Sequence, residues 1–66
     1  MPGEILRLKR KEAGLTIGQL HDKTGVSVPA ISRWERGERK ITVDKFTQLL
    51  DALGSELVVV PKKGVD

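Results

Sequence analysis

Cysteine is absent from this 66-residue chain, which excludes a disulfide staple and a thiolate metal site, and the single His21 cannot build an imidazole cluster. No apolar run approaches the roughly 20 residues needed to span a bilayer. The amino terminus also lacks the apolar stretch of a signal peptide, so the chain reads as soluble and cytoplasmic, with no membrane partner. There is no nucleophile with its base, no glycine-rich phosphate loop, no metal-ligand spacing and no evident carboxylate pair. The expectation is a protein that is not an enzyme and takes no cofactor. A chain this short makes one domain at most and buries only about 60% of the surface its unfolded form exposes. Its stability is then marginal, and association with a second copy is the remaining way to enlarge the core.

What the sequence does have is a mild excess of positive charge: twelve Lys and Arg against nine Asp and Glu, a net charge of +3, and an isoelectric point near 9.6. Arg7, Lys9, Arg10 and Lys11 fall in the first quarter, and Arg33, Arg36, Arg39 and Lys40 cluster in the middle. The tilt is toward anionic partners, although a solvated surface alone would produce the same runs.

Glycines at 14, 25, 37 and 54 each follow an amphipathic stretch, where a residue with positive φ ends a helix. Thr16, Ser27 and Thr42 stand where an N-cap oxygen would accept the free N–H groups of the next first turn, and Thr16 with Gln19 forms a capping box. At the same starts an apolar residue before the cap is matched by one five positions on: Leu15 with Leu20, Val26 with Ile31, and Ile41 with Phe46. Each pair reads as a hydrophobic staple. Helices are therefore expected over residues 3–13, 17–24, 28–36 and 43–53. Pro29 fits, because an early helical position has no intrahelical acceptor for the N–H that proline lacks. The expected core is Leu6, Ala13, Leu15, Leu20, Val26, Ile31, Trp34, Val43, Phe46, Leu49, Leu50 and Leu53.

On the third helix, a projection of about 100° per residue puts Ala30, Ile31 and Trp34 on one side and Val28, Pro29, Ser32, Arg33 and Arg36 on the other. The second face mixes a guanidinium, a hydroxyl and small apolar groups, a set suited to base-pair edges in a major groove. Arg33 can donate two parallel bonds to guanine O6 and N7, Val28 and Pro29 can touch a thymine methyl, and Ser32 can bond a base or a phosphate. An ordinary exposed arginine is the plain alternative for Arg33.

The stretch G-L-T-I-G-Q-L-H-D-K-T-G-V-S-V-P-A-I-S-R-W-E-R-G from Gly14 to Gly37 resembles the Cro and phage-repressor helix-turn-helix family, the XRE-like regulators. Gly25, Val26, Ser27, Ile31, Ser32, Glu35 and Gly37 carry the match. The resemblance implies an all-α, repressor-like bundle of four or five helices that binds double-stranded DNA as a dimer. It places base contacts on Val28, Pro29, Ser32 and Arg33, and phosphate contacts on Thr16, Ile17, Ser27, Arg36, Arg39 and Lys40. It also implies an ion pair between Arg10 and Glu35 beneath the DNA-facing surface. Three positions depart from the family pattern. Ile17 replaces a phosphate-holding glutamine, His21 replaces a close-packed alanine so that its ring must lie outward or the helices separate, and Thr24 replaces a more apolar residue.

After Gly54, the β-branched run Leu57, Val58, Val59 and Val60 ends at Pro61 and has no partner strand elsewhere in the chain. The division expected is a DNA-binding domain over residues 1–55 and a strand and tail over residues 56–66. Ala52, Leu53, Gly54 and Leu57 resemble the HipB-type antitoxin branch, which implies that the strand pairs with its copy across a dimer. A frayed apolar tail is the alternative. The functions this supports are a dimeric repressor reading a palindromic operator, an antitoxin binding both DNA and a protein toxin, or an interaction module without DNA.

Overall fold

A computed structural model describes residues 1–55 and contains four helices in the expected order: α1 (Pro2–Glu12), α2 (Ile17–Thr24), α3 (Val28–Glu35) and α4 (Val43–Ala52). The strand expected at Leu57, Val58, Val59 and Val60 lies outside the described residues. All three expected caps are made. Thr16 Oγ1 accepts from the Gln19 N–H at 3.1 Å while Gln19 Oε1 accepts from the Thr16 N–H at 2.8 Å, closing the capping box. Ser27 Oγ accepts from the Ala30 N–H at 3.3 Å, and Thr42 Oγ1 from the Lys45 N–H at 3.2 Å. Ala13, Arg36 and Leu53, read as final helical residues, are the C-caps. All four punctuating glycines have φ between 72° and 75°. The requirement matters most at Gly25, whose left-handed conformation turns the chain from α2 into α3 within three residues.

α1 packs on α3 and α4, and α2 packs on the same two helices. Leu6, Leu20, Val26, Ile31, Trp34, Phe46, Leu49 and Leu50 meet in the middle as one buried cluster, to which every helix contributes. α2 and α3, at eight residues each, are too short to persist alone, so this cluster is what holds them helical. Four expected core residues, Ala13, Leu15, Val43 and Leu53, are outside it. Ala13 is exposed because the helix has already ended there, and Val43 is 69% exposed because it opens α4, ahead of Phe46, Leu49 and Leu50, which carry that helix's share of the cluster. Leu15 and Leu53 are half-buried.

The residues that depart from the family pattern in the α2–α3 turn stitch it together. The half-buried His21 ring reaches the Val26 carbonyl through Nδ1 at 2.8 Å. A carbonyl only accepts, so Nδ1 carries the proton. Thr24 Oγ1 donates to the Leu20 carbonyl at 2.8 Å and accepts from the Val26 N–H at 3.2 Å. The ring does not lie wholly outward: half-buried, it bonds across the turn, whose backbone polar groups it helps to satisfy. Gln48 of α4 adds a bond from Nε2 to the Thr24 carbonyl at 3.2 Å.

Gly3 has a packing role that helical patterning does not report. A Cβ there would overlap the Trp34 carbonyl oxygen, because the first turn of α1 lies directly on the end of α3. Gly3→Ala is therefore expected to destabilise the domain by about 1–3 kcal/mol through overpacking. A urea midpoint equal to the parent's would mean that the two helix ends do not meet in solution.

Candidate nucleic-acid interface

α3 buries Ile31 and Trp34 and turns the opposite face outward. Val28 is 41% exposed, Pro29 and Arg33 are exposed, and Ser32 is half-buried at the edge of that face. Among the described residues Arg33 makes no ion pair and no side-chain hydrogen bond, so its guanidinium is available to an incoming acceptor. The Thr16 and Ser27 hydroxyls accept their capping bonds through oxygen, which leaves each hydroxyl hydrogen free to donate outward. Arg39 and Lys40 are exposed on the loop between α3 and α4. Arg36 is also exposed but is engaged with Glu38, Nε to Oε2 at 2.9 Å. Ile17 differs from the rest: it packs against the core cluster, so only its backbone N–H can serve an anion.

Beneath this face sits the Arg10–Glu35 pair. Arg10 is on the inner side of α1, one turn beyond Leu6, and Glu35 is the last residue of α3. The guanidinium donates from Nε to Glu35 Oε2 at 2.7 Å and from Nη2 to Oε1 at 2.9 Å, a bidentate fork. Its Nη1 donates to the Leu15 carbonyl at 2.8 Å. One side chain thus joins α1, the end of α3 and the lead-in to α2. The side chains are only 10% and 5% exposed. The hydrogen bond to Glu35 holds Arg10 above its ordinary pKa; burial opposes this, and the Glu35 charge adds a smaller push upward. The arrangement sets the angle of α3 against α2 more than it adds net stability, since desolvating both ions offsets most of their attraction.

A polar hollow, about 330 Å³, opens between α1, the start of α2 and α3, lined by Arg7, Arg10, Ile17, Ser32, Glu35 and Arg36. Sequence reading had counted Arg7 only as part of a charge run. The available signal was its place three residues before Arg10, about 60° away around the helix. No helix among the described residues is long and apolar enough to cross a membrane.

Two short helices joined by a tight glycine turn, the second with its outer face open and its inner face in the core, define a helix-turn-helix domain. The helix-turn-helix family profile matches residues 6–60, and the chain belongs to that family, in its XRE-type form. A Pyrobaculum aerophilum protein named as an HTH-type transcriptional regulatory protein is 36% identical over 55 residues, covering 83% of this chain and 22% of the relative. An HTH-type transcriptional regulator of Mycobacterium tuberculosis is 39% identical over 51 residues, 77% of this chain and 36% of the relative. A Saccharolobus islandicus HTH-type transcriptional regulatory protein is 33% identical over 54 residues, 82% of this chain and 17% of the relative. The chain therefore matches a minor part of each of these longer proteins. No solved structure matches it significantly.

Proposed function

We propose that this chain is a sequence-specific DNA-binding transcriptional regulator that inserts α3 into the major groove. The observation that carries the reading is the outer face of α3. Arg33 stands there exposed and, among the described residues, without a protein partner beside Val28, Pro29 and Ser32, on a helix whose orientation is clamped from below by Arg10 and Glu35. Arg33 reads guanine O6 and N7, Val28 and Pro29 meet thymine methyls, and Ser32 bonds a base or a phosphate. Thr16, the Ile17 N–H, Ser27, Arg36, Arg39 and Lys40 hold the flanking backbone, with Arg36 leaving Glu38 to do so. That exchange is cheap because both members of the pair are more than half exposed. The chain acts as a homodimer, with Leu57, Val58, Val59 and Val60 pairing across the two-fold axis and the two α3 helices about 34–36 Å apart on a palindromic operator. Its effect is repression, by occupying the operator.

Selection from a random duplex pool at low salt tests the reading, and a two-fold symmetric enriched site is expected. Arg33→Ala then lowers affinity for that site by about 1–3 kcal/mol and relaxes one position of it, whereas Lys40→Ala weakens all duplexes alike. An unenriched pool removes DNA binding. Enrichment of an unsymmetrical site removes the dimer, and an Arg33→Ala variant that binds as the parent does removes the assignment of base readout.

A further inference from the structure

We infer that a cavity between the head of α1, the end of α3 and the loop before α4 binds a small apolar molecule carrying one carboxylate, and that its occupancy opposes DNA binding. The second half rests on the DNA-binding reading above, and the first half does not. The cavity holds about 310 Å³, at the lower end of the range for small-molecule sites, and its walls are mostly apolar. Pro2 and Gly3 of α1, Trp34 of α3, and Arg39, Lys40 and Ile41 of the loop line it. No acidic residue among the described residues does so. Arg39 and Lys40 are exposed and make no ion pair among the described residues. Glu38, the carboxylate next to them in sequence, is held by Arg36.

Two of the elements that form the cavity also carry N–H donors without acceptors. Trp34 is 8% exposed, and its indole Nε1 is buried with no hydrogen-bond partner among the described residues. A buried donor in this state costs the fold free energy, and such groups are normally satisfied by protein, by water or by a ligand. α1 begins without a side-chain cap, so the N–H groups of its first turn, that of Gly3 among them, have no intrahelical acceptor and carry the positive end of the helix dipole. Gly3 lies against the Trp34 carbonyl, which sets the head of α1 beside Trp34. The indole and backbone N–H groups and two free cations call for a negatively charged acceptor. The apolar walls, with Pro2 and Ile41 in them, call for a hydrocarbon body. An apolar carboxylate offers both, whereas a DNA phosphate offers only the first and a neutral hydrocarbon only the second. Arg39 and Lys40 cannot hold this anion and the DNA backbone at once, so the two ligands compete.

Trp34 is the chain's one tryptophan and tyrosine is absent, so its emission reports on the cavity without a label. Titrating the full chain with octanoate below its micelle range, at fixed ionic strength and without DNA, should shift that emission saturably. Acetate, which lacks the hydrocarbon body, and octanol, which lacks the charge, should each bind several-fold more weakly. Arg39→Gln with Lys40→Gln alters only exposed side chains and should weaken octanoate several-fold. Lys23→Gln, on a helix that does not line the cavity, should not. Trp34→Phe keeps a ring and removes the donor, and calorimetry should show weaker octanoate binding at parental helix content. On the selected duplex, octanoate should lower affinity, and the duplex should lower octanoate affinity by the same factor. Parental octanoate affinity in the Arg39 and Lys40 double variant or in Trp34→Phe, or equal binding of octanol, overturns the carboxylate site. Emission that responds to protein concentration and not to octanoate assigns the cavity to a second copy of the chain and overturns it as well. Octanoate that binds without moving duplex affinity overturns the competition alone. If the parent binds no duplex at low salt, the DNA-binding reading and the competition fall together, while the titration still decides the cavity.

Discussion

Glu35→Ala is expected to cost the fold about 3–5 kcal/mol, the penalty for leaving the Arg10 guanidinium buried without its counter-ion. Native stability of about 0.05–0.15 kcal/mol per residue gives a chain of this size about 3–10 kcal/mol in all. The variant should therefore lose between about a third and all of its stability. The charge itself is not what the fold needs. Replacing both partners with apolar residues of similar volume, as Arg10→Met with Glu35→Leu, removes the desolvated ions together and should recover most of the loss. Only the bond to the Leu15 carbonyl is then forfeited outright. Urea unfolding followed by circular dichroism would show the single variant well below the parent and the double variant much closer to it. A single variant with the parental midpoint would mean that the pair is solvated in solution. The double variant should still bind its selected duplex less tightly than the parent, because nothing then fixes α3 against α2.

Leu49→Ala should lower stability by about 2–5 kcal/mol, from lost apolar transfer together with the cavity left behind. Leu49 is fully buried in the cluster to which all four helices contribute, and a cluster of eight residues has few neighbours able to collapse into the gap. The informative comparison is Val43→Ala on the same helix, expected to change stability by less than about 0.5 kcal/mol because that side chain is 69% exposed. Both positions are apolar and lie on the stripe that helical periodicity assigns to the core. Thermal melts would separate them, and equal losses would contradict the exposure of Val43. At temperatures where Leu49→Ala is still folded it should rank duplexes as the parent does, since α4 takes no part in the proposed reading face.

Helix order, caps and turns were legible in the residues themselves because their causes are local. A threonine or serine oxygen reaches a backbone N–H three residues on, and a glycine relieves one strained φ, whatever the rest of the chain does. The outward face of α3 was legible too, since a period of 3.6 residues separates Ile31 and Trp34 from Val28 and Arg33 without reference to a partner. The Arg10–Glu35 pair is different. Twenty-five residues lie between its members, and the expectation came from likeness to a family, with no local rule to supply it.

Position along the chain determined the four helices, their ends and the face that α3 turns outward, through interactions spanning no more than about five residues. Tertiary packing alone decided that Val43 faces solvent, that Gly3 must lack a side chain, that the ring of His21 closes the turn, and that Arg7 shares a hollow with Ser32. Each of these depends on where one helix end comes to rest against another. That is set by how the whole cluster of buried side chains fills space, a quantity that periodicity along any single helix does not contain.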